Sequence, residues 1–227
     1  MKKFIILIPI YNDWKSVFQL LENIDLQIAK WDAEVLVLII NDGSTEERTV
    51  TELSFKNIKT VRAMNMKQNQ GHARSNAAGL KYLTEKEDFD YVILMDGDGE
   101  DRPEELTSLF NKSKENPLKT VTANRIKRSD GSFFKLLYEC HKILTYVFTG
   151  KLIKFGNYSC LPKEDAARLV KEACIWSSFS GSVTKIISDR VSVPSIRGKR
   201  YFGPSQMSFF KLLVHSFSII AVFKGSV

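Results

Sequence analysis

Three short apolar runs, at 4–10, 35–41 and 91–96, constrain this chain most, because each ends abruptly in a polar cluster. They are rich in Ile, Val and Leu and lack polar alternation, as strands buried on both faces do. Helical periodicity fills the intervals. Over 13–28, Val17, Leu20, Leu21, Ile24 and Ile28 recur at steps of three and four, which puts them on one helix face. Residues 72–83 and 103–114 also read as helices. The latter has Pro103 in its first turn with Glu104 and Glu105 behind it, a favourable helix start. Strands alternating with helices predict an α/β domain, its mostly parallel sheet covered by helices on both faces.

Ligands of such sheets bind beyond the carboxyl ends of the strands. PIYN (9–12), NDGS (41–44) and DGDGED (96–101) all lie at strand ends, so the pattern predicts that they meet in one crevice. Asp96 and Asp98 can present carboxylate oxygens to one hard divalent cation that also ligates a diphosphate. Asp42 adds a carboxylate suited to a base or ribose edge. An Asp/Gly cluster also makes ordinary turns, so the pair alone is not diagnostic.

The net charge of +7 is unevenly spread. Residues 1–110 carry 13 Lys/Arg against 19 Asp/Glu, and residues 111–227 carry 20 against 7. This asymmetry suggests metal or sugar on one side and phosphates or an anionic surface on the other. No nucleic-acid motif accompanies the basic half, and the acidic half would repel a phosphate backbone, so no nucleic-acid partner is expected. The absence of G-x-G-x-x-G argues against a dinucleotide enzyme.

Cys140, Cys160 and Cys174 form no metal-binding spacing, and an odd, sparse set suggests reduced thiols and a cytoplasmic location. The run after Met1 reads as a buried strand rather than a leader, since Pro9 and the polar residues 11–13 interrupt it. Residues 133–155 and 206–223 read as basic amphipathic helices at a membrane interface. The second falls short of the roughly 20 residues that span a bilayer. Together these features suggest a protein peripheral on the cytoplasmic face of a membrane. His72, His141 and His215 share no ligand spacing; a structural role is expected for His72, with contact to the donor as the alternative that its place inside 69–79 offers. Trp14, Trp31 and Trp176 read as packing residues.

PIYN, NDGS, NQGHARSNAAG (69–79) and DGDGEDRPEEL (96–106), in that order, resemble the family 2 glycosyltransferases. RIKRSDGSFFK (125–135), FGNYSCLPK (155–163) and RGKRYFGPSQMSFFKLL (197–213) are similar to later motifs of the branch containing dolichol-phosphate mannosyltransferases and bacterial polyprenyl-phosphate glycosyltransferases. The resemblance implies a GT-A fold over 1–204, with a nucleotide-sugar and metal half at 1–110, an acceptor half at 111–204 and an amphipathic helix at 205–227. It also implies a UDP- or GDP-sugar donor, Mg2+ or Mn2+, inversion at the anomeric carbon, and an acceptor that is a lipid phosphate or a saccharide. A homo-oligomer is compatible with it.

Residue by residue, the resemblance assigns Pro9, Tyr11, Asn12, Asp42, Asn69, Gly71 and Gly97 to the donor. It assigns Asp96 and Asp98 to the metal and diphosphate, with Asp98 as the direct ligand. Arg125, Arg128 and Lys135 would meet the acceptor, and Arg197 and Arg200 would clamp the diphosphate. Two departures stand out. Asn41 replaces the first of two Asp often found there, and the segment resembling D-x-G-D-F reads Lys154-Phe155-Gly156-Asn157-Tyr158. An amide cannot act as a general base. An ionised phosphate acceptor hardly needs one, whereas a hydroxyl acceptor would have to draw on Asp101 or Glu100. Asn157 is then assigned to the donor sugar or acceptor. The rival reading is a nucleotide-sugar-binding protein without catalysis.

Overall fold

The structure is a computed structural model that describes residues 1–46, 54–127, 145–203 and 209–223. Seven strands form one sheet: β1 (Lys2–Ile10), β2 (Ala33–Asn41), β3 (Ile58–Asn65), β4 (Tyr91–Leu94), β5 (Thr120–Lys127), β6 (Ser159–Pro162) and β7 (Arg190–Ile196). Their spatial order is β3-β2-β1-β4-β6-β5-β7. Only β6 runs against the rest, pairing antiparallel with β4 and β5. Among the described residues the sheet is flanked by α1 (Trp14–Gln27), α2 (His72–Lys86), α3 (Leu106–Glu115), α4 (Lys163–Leu169), α5 (Phe179–Ile186) and α6 (Phe209–Phe223), and residues 145–149 are helical as well. The mostly parallel sheet between helical layers is the expected architecture. β3 and β5–β7 had no clear signal in the sequence.

The unbroken apolar runs follow from burial on two sides. In β1, Phe4, Ile6, Ile8 and Ile10 enter the core that includes Val17, Leu20 and Ile24 of α1 and Leu109 of α3, whereas Ile5 and Leu7 enter the opposite core with Leu80 of α2 and Val183 of α5. β2 divides likewise, with Val35, Val37 and Ile39 on one side and Leu36, Leu38 and Ile40 on the other. Burying each such side chain stabilises the fold by roughly 1.5–3 kcal/mol before conformational entropy is counted. α2 lies so close to the sheet that a Cβ on Gly79 would sit 2.5 Å from Leu7 Cδ1.

Register places the functional loops. Ile10 pairs with Asn41 and Leu7 with Leu94, so the chain leaves β1, β2 and β4 on one edge of the sheet. The reversed β6 pairs Ser159 with Leu94 and with Thr122 of β5, which delivers residues 154–158 to the same edge. β7 pairs Ser195 with Arg125, and residues 197–203 therefore leave there as well.

Two expectations need correction or restriction. Of the amphipathic helix expected at 133–155, residues 133–144 lie outside the described residues, residues 145–149 are helical, and residues 151–155 are not. Ile153 and Phe155 are buried between exposed neighbours. That period of two belongs to an extended segment, and Arg125 N–H donates to the Lys154 carbonyl at 2.9 Å. The final apolar helix is present as α6 and packs on the domain. Ile219 and Val222 are buried, and Lys185 Nζ donates to the Val222 carbonyl at 2.8 Å. Among the described residues no helix is long and apolar enough to cross a membrane.

Candidate active site

A cavity of about 1090 Å3 opens at the shared sheet edge, lined by Pro9, Tyr11, Asn12, Asp42, Asn69, Gly71, Asp96, Gly97 and Asp98. Every residue assigned to the donor, apart from Arg197 of the expected diphosphate clamp, thus faces one space, joined by Arg200 from the far end of the chain. The walls are held by side chains that bond to neighbouring loops. Asn12, in the left-handed backbone region at φ 51°, accepts from Thr45 N–H at 2.8 Å and ties the β1 loop to the β2 loop. The Asp42 carboxylate accepts from the N–H groups of Gln70 and Gly71, both at 2.8 Å, and so fixes the turn into α2. Asn41, where the family often has Asp, donates to Asn65 Oδ1 at 3.0 Å and accepts from Ser44 N–H.

Asp96 and Asp98 occupy different surroundings. Asp96 Oδ1 lies 2.9 Å from His72 Nε2 and accepts from Asn157 Nδ2 at 3.1 Å. Burial alone would raise its pKa, but His72, Arg125 and the Asn157 amide hold it below the usual carboxylate range. Enclosure by protein lowers the His72 pKa, and the Asp96 charge more than offsets this, leaving it raised. Asp98 Oδ2 accepts from Arg200 Nη1 at 2.6 Å. Burial, then the negative charges of Asp96 and Glu100, push Asp98 up to about 6.

Asp101 is 4% exposed and does not line the cavity. Its carboxylate accepts from Asp96 N–H at 3.0 Å and lies 3.7 Å from Arg125 Nη2. Burial and the Asp96 charge raise it to about 7. Arg125 in turn packs so tightly on Gly156 that a Cβ there would lie 2.8 Å from Nη2. Arg197 pairs with Glu100 rather than lining the cavity. Arg128 and Lys135 fall outside the described residues.

Residues 197–203 form a strap across the turn at 98–100. Gly198 N–H donates to the Glu100 carbonyl at 2.8 Å and Tyr201 N–H to the Asp98 carbonyl at 2.9 Å. Gly99 adopts φ +88°, and a Cβ there would meet the Tyr201 ring at 2.7 Å, so both its conformation and its missing side chain are required.

The arrangement matches known proteins. The model of the glycosyl transferase family 2 matches residues 5–175. The chain belongs to this family. Two relatives, the undecaprenyl-phosphate 4-deoxy-4-formamido-L-arabinose transferases of Klebsiella pneumoniae strain 342 and of K. pneumoniae subsp. pneumoniae, are each 28% identical over 218 residues. Each match covers 93% of this chain and 64% of the relative, so the chain spans less than two thirds of their length. Among solved structures, glucosyl-3-phosphoglycerate synthase from Mycobacterium tuberculosis, in complex with Mn2+, UDP-glucose and phosphoglyceric acid, superposes with a TM-score of 0.65. At 12% identity, covering 99% of this chain and 79% of that one, the likeness establishes the GT-A glycosyltransferase fold.

Within that fold the cavity walls include residues that no sequence assignment placed there, Asp13 and Phe202 among them. His72, the first residue of α2, contacts Asp96 and lines the cavity, which favours the alternative that its place in the 69–79 motif offered over a purely structural role. Asp13 bonds Arg200, and Phe202 lines the cavity. Neither belongs to a pattern that local spacing distinguishes from ordinary loop residues.

The donor set suits a hard divalent cation. Asp98 is mostly buried and already carries a positive group, the Arg200 guanidinium, on Oδ2. Among the described residues no three acidic or imidazole groups gather into a metal cluster, so a cation here would need ligands from a bound diphosphate.

Proposed function

We propose that the chain is an inverting, metal-dependent glycosyltransferase moving a sugar from a UDP- or GDP-sugar to a polyprenyl phosphate, peripheral on the cytoplasmic face of a membrane. The observation that carries this reading is the convergence of Asp42, Asp96, Asp98 and Arg200 on a cavity large enough for a nucleotide sugar. The undecaprenyl-phosphate transferases named above support the acceptor, and the Mn2+ and UDP-glucose of the mycobacterial synthase support the donor and metal.

In this reading Asp42, with Tyr11 and Pro9, forms the nucleoside end of the cavity. Asp98, assisted by Asp96, would hold Mg2+ or Mn2+, which neutralises charge on the departing diphosphate. Arg200 adds guanidinium donors to the same leaving group. An acceptor phosphate oxygen attacks the anomeric carbon from the side opposite the diphosphate. The bond from that carbon to the diphosphate oxygen breaks, and the nucleoside diphosphate leaves with the electron pair, inverting the centre. A phosphate oxygen is largely ionised near neutral pH, so no proton need be removed. The presence of Asn157 rather than an acid beside Asp96 fits that requirement. Arg125, assigned to the acceptor by the family resemblance, pairs with Asp101 at the junction of β5 and the 154–158 segment and would serve the acceptor phosphate from there.

The test is release of nucleoside diphosphate from a panel of UDP- and GDP-sugars with Mn2+, with and without polyprenyl phosphate, in wild type and Asp98→Ala. Turnover that needs the lipid phosphate and falls by at least about 100-fold in the variant is expected. Metal-dependent hydrolysis indifferent to the lipid would redirect the acceptor to a saccharide. Tight donor binding without turnover would favour a binding protein.

A further inference from the structure

Arg200 bridges two carboxylates that reach it from different strand ends. Its Nη1 donates to Asp98 Oδ2 and its Nη2 to Asp13 Oδ2, both at 2.6 Å, while its Nε is buried without a partner. The main chain around it is pinned. Gly198 and Tyr201 donate to the carbonyls of Glu100 and Asp98, and the Tyr201 hydroxyl accepts from Asn23 Nδ2 at 2.9 Å. The guanidinium can therefore turn, but its backbone is held over the 98–100 turn.

Asp13 occupies the N-cap of α1, where an Asp commonly accepts from the first free backbone N–H groups. Here its side chain makes no such bond, and its Oδ2 goes to Arg200 instead. The carboxylate gives up a helix cap for a partner 187 residues away in sequence.

Asp98 Oδ1 already accepts from Glu100 N–H at 2.9 Å, which leaves Oδ2 as the oxygen for which a cation and the guanidinium compete, and their mutual repulsion in this mostly buried site disfavours both at once. A divalent ion that took Asp98 Oδ2 would displace Nη1. We infer that Asp13 is the positioning residue for Arg200: it retains Nη2 while the metal takes Asp98, so that Nη1 and the unpartnered Nε turn toward the donor's diphosphate. The inference rests on the proposed metal role of Asp98. It makes Arg200 a stand-in for the metal before loading and a leaving-group ligand after it, with Asp13 as the pivot.

Calorimetry of UDP and GDP binding at saturating Mn2+ tests this, using wild type, Asp13→Asn, Arg200→Ala and the double variant. Charge alone predicts that removing a carboxylate near a diphosphate tightens binding. The pivot predicts the opposite: Asp13→Asn weakens the better-bound nucleotide by about 3- to 10-fold, and Asp13→Glu recovers part of the loss. In the Arg200→Ala background Asp13→Asn causes no weakening, because nothing remains to be held. Asparagine is itself a good N-cap residue, and circular dichroism checks that the helices are retained. Tighter or unchanged binding in Asp13→Asn, or equal weakening in both backgrounds, overturns the pivot while leaving the metal reading intact. Failure of the wild type to bind either nucleotide with Mn2+ overturns both.

Discussion

Asp98, Asp101 and His72 all hold protons more tightly in the folded metal-free chain than free side chains do, with Asp98 raised to about 6 and Asp101 to about 7. The sign of the stability effect follows. A carboxylate whose folded pKa is raised favours the folded state below its unfolded value, and this advantage is lost as pH rises through the folded value. His72, also raised, keeps its advantage up to its ordinary value of about 6.5 and loses it only above that. Asp96 is lowered, so its contribution is already complete above about pH 5. Unfolding by urea should therefore show the metal-free protein losing stability from about pH 5 to about pH 7, at about 1.4 kcal/mol per pH unit for each excess proton held. Asp98→Asn with Asp101→Asn should flatten the profile; an unchanged slope in that variant would place its origin elsewhere. Of these residues, Asp96 and Asp98 were legible in the sequence, because paired carboxylates after an apolar strand are a local pattern. His72 was legible only as an alternative, through its place in the 69–79 motif, and Asp13 was not. Each acts through a partner that the fold brings from far away, Asp96 to His72 and Arg200 to Asp13.

At the scale of elements, β1, β2 and β4 were legible because burial on both faces leaves continuous apolar runs. β6 was not: Ser159–Pro162 is four residues long, and its reversed direction comes from sheet pairing rather than composition. The β7 exit strap was legible only through the motif at 197–213; β7 itself and its register with Arg125 were not. Gly99→Ala tests that strap. The substitution combines φ +88° with a Cβ 2.7 Å from Tyr201, a strain of roughly 1–3 kcal/mol. The expected result is at least a tenfold fall in kcat/KM for nucleoside diphosphate release with only a small fall in Tm. A Tm loss without a kinetic effect would make the strap a mere packing element. α6 invites a paired comparison. Ile219 is 2% exposed and Phe217 60% exposed, so Ile219→Ala should cost about 2–5 kcal/mol of stability and Phe217→Ser close to nothing. Equal losses would mean that α6 does not dock through the Ile219 face.

The whole molecule divides its charge as the sheet divides its work. The acidic first half supplies the strand ends that form the cavity, whereas residues 111–227 carry 20 Lys/Arg against 7 Asp/Glu. That second half also exposes large apolar side chains: Val147 is 69% exposed, Phe148 63% and Phe217 60%. Basic charge beside exposed apolar groups is the chemistry that holds a protein at an anionic interface, each basic residue near the surface contributing about 1 kcal/mol. Flotation with vesicles of phosphatidylglycerol and neutral lipid should recover the protein with the vesicles at low salt, and pure neutral vesicles should recover far less. Screening at about 1 M salt, where the Debye length is about 3 Å, should release a share that measures the electrostatic part. Val147→Ser with Phe148→Ser should lower the share that survives in salt, since those side chains supply apolar area rather than charge. Recovery independent of lipid charge, and untouched by that double variant, would mean that the basic half serves the acceptor's phosphate alone. The lipid would then have to reach the cavity without the protein resting on a membrane.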